Sequence, residues 1–277
     1  MTHAPALKLF GVVGNPVHHS LSPKLHQFWY EQLGVDAKYV ALEMSGKSPV
    51  QDIQGLARSG FSGLNVTLPH KISALEAAVE ISGAAREIQA SNTLTLNTDT
   101  SGWNAHNTDW SGFLWSLDRM GKSFPDRALM IGAGGAARAV AYALKTRGIK
   151  IDILNRTVSR AEELISDLSL ANSKAESIDM LSTAADGRRL IINTISLGHE
   201  GGSLDLPKTE NGIFVDISYG KAAKPTLEKA KARGWTTLDG LPMLVGQAAD
   251  AFEIWLGVAP DRESCLKACR KLTGTTE

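Results

Sequence analysis

The sequence predicts an α/β protein of two domains, and three observations carry that expectation. The chain runs to 277 residues, long for one hydrophobic core and comfortable for two. Short apolar runs alternate with stretches of helical periodicity along most of its length. Near the middle, Gly132-Ala133-Gly134-Gly135-Ala136-Ala137 separates an apolar run at residues 128–131 from a helix-forming run that ends at Thr146. Lysines and arginines number 29, as do aspartates and glutamates, so the net charge is zero and neither nucleic acid nor a membrane is an expected partner. Residues 1–9 have neither a basic start nor a long apolar run, which argues against a signal peptide. No stretch approaches the roughly 18 apolar residues of a membrane span. Cys265 and Cys269 lie four apart in a predicted C-terminal helix with no histidine beside them. They fit a reduced cytoplasmic protein better than a disulfide framework or a metal site.

In chain order, residues 7–13 read as a strand ending in Gly14-Asn15-Pro16. Ser22-Pro23 predicts a helix start with Ser22 as N-cap and Pro23 at the first helical position; Leu25, Phe28, Trp29 and Leu33 continue it, and Gly34 stops it. Capping accounts for Ser22, yet Ser20 and Ser22 are also two hydroxyls just beyond a strand, placed to receive a polyhydroxy or carboxylate ligand. Residues 39–44 form a second strand, 50–58 a short helix, and 63–69 a third strand that runs into His70-Lys71. Apolar residues return to helical spacing over 72–81, so Lys71 falls in the first turn of a helix leaving the C-terminal end of a strand. Open α/β sheets bind ligands there, and the positive end of a helix disfavours a second positive charge. A solvated surface lysine is the plainer alternative. Residues 92–97 and 102–107 pair as a hairpin about Thr98-Asp99-Thr100. Thr108 or Asn107 then caps a helix with Asp109 in its first turn, where helix stabilisation explains a carboxylate as readily as chemistry does. The domain junction is expected at 107–110.

The glycine cluster has the context of a dinucleotide-binding, Rossmann-type turn. Gly132 permits the tight turn, Gly134 lets the backbone approach a pyrophosphate, and Ala137 allows close packing of helix on strand. The strand at 151–154 ends in Asn155-Arg156-Thr157, with Arg160 just beyond. A guanidinium and a hydroxyl suit a 2′-phosphate where an NAD enzyme usually carries Asp or Glu, so the expected cofactor is NADP. The pattern continues with a strand at 190–195, a loop at 199–211, a strand at 213–217 ending in Ser218-Tyr219-Gly220, a helix at 227–233 and a strand at 235–238 before Asp239-Gly240. Met243, Leu244, Ala248, Ala251, Phe252 and Trp255 then line one face of a last long helix. Gln247 interrupts that stripe and is either bonded internally or aimed at a ligand.

These residues resemble the shikimate dehydrogenase family. Ser20-Leu21-Ser22-Pro23 matches its Ser-x-Ser-Pro element, and Asn65-Val66-Thr67, Pro69 and Lys71 match its central signature. Asn92-Thr93, Asn107-Thr108-Asp109, the glycine cluster, Asn155-Arg156-Thr157, Gly240 and Gln247-Ala248-Ala249 follow in family order. The resemblance implies reversible NADPH-dependent reduction of 3-dehydroshikimate to shikimate, a step of aromatic amino-acid biosynthesis. It implies an N-terminal α/β substrate domain (1–108, completed by 241–277) and an NADP domain (109–240) separated by a cleft. By resemblance, Ser20, Ser22, Thr67, Asn92, Asp109, Tyr219 and Gln247 hold the substrate, and Lys71 and Asp109 transfer the proton. Gly132, Ala133, Gly134, Gly135, Ala136, Asn155, Arg156, Thr157 and Arg160 match the cofactor-binding segments, and Ile217 and Gly240 match positions flanking the nicotinamide. The expected partner is a small-molecule substrate, in a monomer or homodimer, with no metal. Three departures, at Ser91, His106 and the 221–226 loop, bear on substrate range rather than on the chemistry. The alternative is a quinate/shikimate dehydrogenase with broader substrate or NAD use. Less favoured is a ligand-sensing regulator on the same scaffold, which would have no need of both Lys71 and Asp109.

Overall fold

A computed structural model describes residues 7–197 and 202–275. The chain divides into two compact units, Met1–Asp109 with Val245–Cys269, and Trp110–Leu244 with Arg270–Glu277. These bounds depart by a few residues from those expected from sequence. Met243 packs into the core of the second unit, and Arg270 pairs there with Asp239, so residues 241–244 and 270–277 go with it.

The first unit opens with β1 (Lys8–Gly14), α1 (Ser22–Leu33), β2 (Ala37–Glu43), α2 (Pro49–Leu56) and β3 (Phe61–Val66). It continues with α3 (Lys71–Glu76), β4 (Glu80–Ile81), α4 (Gly83–Ile88), β5 (Thr93–Asn97) and β6 (Gly102–His106). Its sheet runs β2-β1-β3-β5-β6-β4. β1 pairs in parallel with β2 and β3, whereas the β5–β6 hairpin pairs antiparallel with itself and with β3. Val13, Leu64, Val66, Leu94 and Trp103 build the core on this sheet. Two expectations are corrected here. Ser22 is the first helical residue rather than the N-cap; Leu21 holds the cap position, and the Ser20 hydroxyl accepts the Ser22 N–H at 3.2 Å. The helix expected over 72–81 ends at Glu76, because Val79 and Ser82 donate to Trp103 and Ala105 carbonyls and draw Glu80–Ile81 into the sheet.

Helix α5 (Asp109–Asp118) leads into β7 (Arg127–Ile131), α6 (Gly135–Thr146), β8 (Lys150–Asn155), α7 (Val158–Asp167) and β9 (Ala175–Ser177). After a short 3₁₀ turn come α8 (Leu181–Ala184), β10 (Leu190–Asn193), β11 (Ile213–Asp216), α9 (Lys224–Ala232), β12 (Thr236–Leu238), α10 (Leu241–Leu256) and α11 (Arg262–Thr273). Of the loop expected at 199–211, residues 199–201 lie outside the described residues, and 202–211 carry neither helix nor strand. The second sheet is parallel throughout, in the order β12-β11-β10-β7-β8-β9. Ala128 and Met130 of β7 point into one core, and Leu129 and Ile131 into the other. Strand side chains alternate between faces, so a sheet covered on both sides needs the unbroken apolar runs that this sequence shows. Read from β7 as the first strand, the order is that of a doubly wound dinucleotide fold, with its switch point between β7 and β10.

Candidate active site

In the first unit Lys71 begins α3, directly after the turn that leaves β3. The turn is fixed by its own backbone: Thr67 N–H donates to Val13 O at 2.9 Å and His70 N–H to Thr67 O at 3.0 Å. The Lys71 carbonyl accepts the Ser91 N–H at 2.9 Å. Asp109 opens α5, its N–H held by Asn107 Oδ1 at 3.1 Å. Lys71 Nζ donates to Asp109 Oδ2 at 2.5 Å, with the two side chains only 11% and 7% exposed. The surface-lysine alternative is thereby excluded. Charges withdrawn this far from water need each other, since either one alone would carry an uncompensated desolvation cost.

The other carboxylate oxygen is also engaged. Asn92 Nδ2 donates towards Asp109 Oδ1 at 3.1 Å, Gln247 Oε1 at 3.0 Å and Thr108 Oγ1 at 2.9 Å, so two hydrogens are shared among three acceptors. Its amide oxygen accepts the Thr108 N–H at 2.7 Å. Gln247 therefore uses its carbonyl within the protein. Behind Asn92, Asn65 donates to the Asn92 carbonyl and to Thr93 Oγ1 at 3.3 Å each, while Tyr39 donates its hydroxyl to Asn65 Oδ1 at 2.7 Å. Sequence reasoning passed over Tyr39, Asn65 and Thr93 as site residues. The available signal was Asn65 itself, a polar residue inside the buried strand β3, which had to find partners.

Lys71, Asn92, Asp109 and Gln247 thus meet in one bonded cluster. Ser20 and Ser22 form a second bonded pair, hydroxyl to hydroxyl at 3.1 Å. Thr67 stands beside Gly14, where an added Cβ would meet its methyl at 2.3 Å. Tyr219 belongs to the second unit, on the turn after β11. Ser91 and His106 are partners: the Ser91 hydroxyl donates to the His106 carbonyl at 2.8 Å. Burial holds the His106 imidazole below its usual pKa and so favours the neutral ring.

In the second unit the glycine turn has the form a dinucleotide requires. Gly132 takes φ +108°, and a Cβ there would strike Thr194 Oγ1 at 2.3 Å. Gly134 is the extended N-cap of α6, no side chain caps the helix, and open space surrounds the place of its missing Cβ. Asn155 Nδ2 closes the turn after β8 by donating to Thr157 O at 2.8 Å. Thr157 holds the N-cap position of α7 without spending its hydroxyl there, and Arg156 and Arg160 are exposed. First-turn amides without a side-chain cap and an exposed guanidinium suit a phosphorylated dinucleotide. Gly240 donates its N–H to Ser218 O at 2.8 Å, and a Cβ there would lie 1.9 Å from Ile217 O.

Comparison with known proteins finds relatives along the whole chain. Residues 12–94 match the family described as shikimate dehydrogenase substrate binding domain, 117–242 that of shikimate / quinate 5-dehydrogenase, and 240–270 the shikimate 5′-dehydrogenase C-terminal domain. The chain is 46% identical to the shikimate dehydrogenase (NADP(+)) of Hyphomonas neptunium over all of both chains. The shikimate 5-dehydrogenase of Thermus thermophilus, solved with NADP(H) and shikimate, superposes with a TM-score of 0.81 at 35% identity, covering 96% of this chain and 99% of that one. A quinate dehydrogenase from Corynebacterium glutamicum, solved with NAD, gives 0.85 at 26% identity, over 96% and 99%. The chain belongs to the shikimate dehydrogenase family.

Proposed function

We propose that the protein interconverts shikimate and 3-dehydroshikimate with NADP as its cofactor. The observation that carries this reading is the buried Lys71–Asp109 pair at 2.5 Å in a chain whose second unit has a dinucleotide turn ending in arginine rather than a carboxylate. When bound, the nicotinamide supplies or accepts the hydride. As the carbonyl is reduced, negative charge grows on its oxygen, and the Lys71 ammonium stabilises that oxygen and donates its proton to it. In the oxidative direction the neutral amine takes the hydroxyl proton. Asp109 orients Lys71, and Asn92 in turn orients Asp109.

Ser20, Ser22, Thr67, Asn92, Tyr219 and Gln247 bind the hydroxyls and carboxylate of the substrate. Gly132, Ala133, Gly134, Gly135 and Ala136 receive the pyrophosphate, and Asn155, Arg156, Thr157 and Arg160 the 2′-phosphate. Ile217 and Gly240 border the nicotinamide. The protein works as a cytoplasmic monomer or homodimer. Arg156 and Thr157 favour NADP over NAD, and among the described residues of the first unit no feature bars quinate. A regulator would not need to keep both Lys71 and Asp109 buried in contact.

The test follows nicotinamide absorbance with shikimate and quinate offered separately, each with NADP and with NAD. Turnover with shikimate and NADP alone is the expected result. Comparable turnover with quinate or NAD moves the protein to the broader dehydrogenases. Binding of both ligands without turnover sinks the enzyme reading.

A further inference from the structure

Asp216 ends β11 and is 2% exposed, with no cationic partner among the described residues. Its Oδ1 accepts the Ser218 N–H at 2.9 Å, and its Oδ2 accepts Asn193 Nδ2 at 3.1 Å from the end of the neighbouring strand β10. Asn193 is equally committed: Nδ2 also donates to Ile195 O at 3.0 Å, and Oδ1 accepts the Ile195 N–H at 3.2 Å. Two side chains therefore tie the turn after β10 to the turn after β11. The first of these turns lies against Gly132, because Thr194 and Ile195 are what a Cβ at that glycine would strike. The second holds Gly240 through Ser218 O. One bonded rim thus runs across the C-terminal ends of β7, β10, β11 and β12.

We infer that Asn193 and Asp216 are positioning residues that set the nicotinamide end of the cofactor crevice, an inference that rests on the NADP reading above. Aspartate is the side chain the place demands. It meets the Ser218 N–H and the Asn193 amide from different directions, with the Ser218 hydroxyl as a further partner, and only a carboxylate presents an acceptor to both N–H groups. Asparagine would turn an N–H₂ towards one donor or the other. The cost is burial of a charge, which pushes the carboxyl up to about 6. Asp239, the other charged group bearing on it, adds to the rise and is itself paired with Arg270. Protonation weakens both bonds, since hydrogen bonds to an ionised acceptor are roughly twice as strong as neutral ones. The clasp is therefore tight above about pH 6 and loosens below it.

Asp216→Asn, Asn193→Ser and the exchanged pair Asn193→Asp with Asp216→Asn test this by NADP affinity, 2′,5′-ADP affinity and kcat/KM against pH. The expected result for Asp216→Asn and Asn193→Ser is at least tenfold weaker NADP binding with 2′,5′-ADP binding unchanged. The exchanged pair recovers part of that loss. Wild-type kcat/KM for NADP falls below about pH 6, and that inflection is absent in Asp216→Asn. Unchanged NADP affinity in Asn193→Ser, or a wild-type profile without the inflection, overturns the clasp. Should Asp216→Asn not fold, Asn193→Ser and the wild-type profile still decide. If wild type binds neither NADP nor 2′,5′-ADP, the cofactor reading has failed instead.

Discussion

Lys71 and Asp109 form a buried ion pair in the first unit, and removing either partner leaves the other without its counter-ion out of water. Lys71→Met keeps the unbranched stem, one atom shorter, and removes the ammonium that carries the proton. The expected outcome is a fall in kcat of about 10² to 10⁴ with a small change in KM for shikimate, measured by steady-state kinetics. A larger effect on KM than on kcat would assign the lysine to binding alone. Ser91 provides the contrast. Its hydroxyl shares one hydrogen between the His106 and Thr93 carbonyls, while its contact with Lys71 is made by the backbone. Ser91→Ala should therefore cost roughly 1 to 2 kcal/mol in denaturant unfolding and leave kcat within about threefold. Sequence pattern placed Lys71 and Asp109 at element starts beside a strand end but left a surface lysine and a helix-stabilising carboxylate as alternatives, and only the family resemblance paired them. The residues that orient them were not legible, because Tyr39 reaches Asn65 across 26 positions and Asn92 reaches Gln247 across 155. Local periodicity holds no information about such pairings. The cap assigned to Ser22 failed for a related reason: the Ser20 hydroxyl holds the Ser22 N–H, and the Leu25 N–H bonds to the Leu21 carbonyl, so the helix starts one residue earlier than the Ser-Pro signal implies.

Elements fix where these residues stand, and two glycines show how differently the constraint can act. At Gly240 the obstacle to a side chain is the Ile217 carbonyl, 1.9 Å from the missing Cβ, and backbone cannot move aside as a flexible side chain can. Gly240→Ala should destabilise the second unit by about 3 kcal/mol or more, seen as a lower thermal midpoint or insoluble protein. Gly134 has ordinary φ and nothing within 4 Å of the same place. Gly134→Ala is expected to leave the thermal midpoint of the free protein nearly unchanged and to weaken NADP binding at least tenfold by titration. A stable Gly240→Ala, or a Gly134→Ala that binds NADP normally, would remove the close approach that each glycine is held to permit. At this scale the sequence was most legible in the parallel unit, where strands buried on both faces write themselves as apolar runs. It was least legible at 72–81, where apolar spacing suits a helix but β6 captures the segment's N–H groups and makes β4 the edge strand of the sheet.

Across the whole molecule, two buried titrating groups give the units opposite responses to acid. His26 of α1 is fully buried in the first unit, stacked on Tyr39 at 4.2 Å and ringed by Trp29, Phe252 and Trp255. Neither ring nitrogen has a partner among the described residues. Burial, opposed in part by the Asn65 side chain, brings its pKa from 6.5 down to about 3. Below pH 6.5 the unfolded chain takes up a proton that the folded unit refuses, so stability falls with pH, by about 3 kcal/mol at pH 4. Asp216 in the second unit has the reverse sign. With its pKa raised from 3.8 to about 6, the folded form binds a proton before the unfolded form does. Stability gains on acidification between those values, by roughly 2 to 3 kcal/mol at pH 4. Hydrogen exchange at pH 7 and pH 4.5, corrected for intrinsic rates, should show peptides of α1 and β2 losing protection while those of β10 and β11 keep theirs. His26→Phe should remove most of the difference, because a ring that cannot take a proton has nothing to gain by unfolding. Equal loss in both units, or a difference that persists in His26→Phe, would mean that burial of this imidazole does not govern the acid limit.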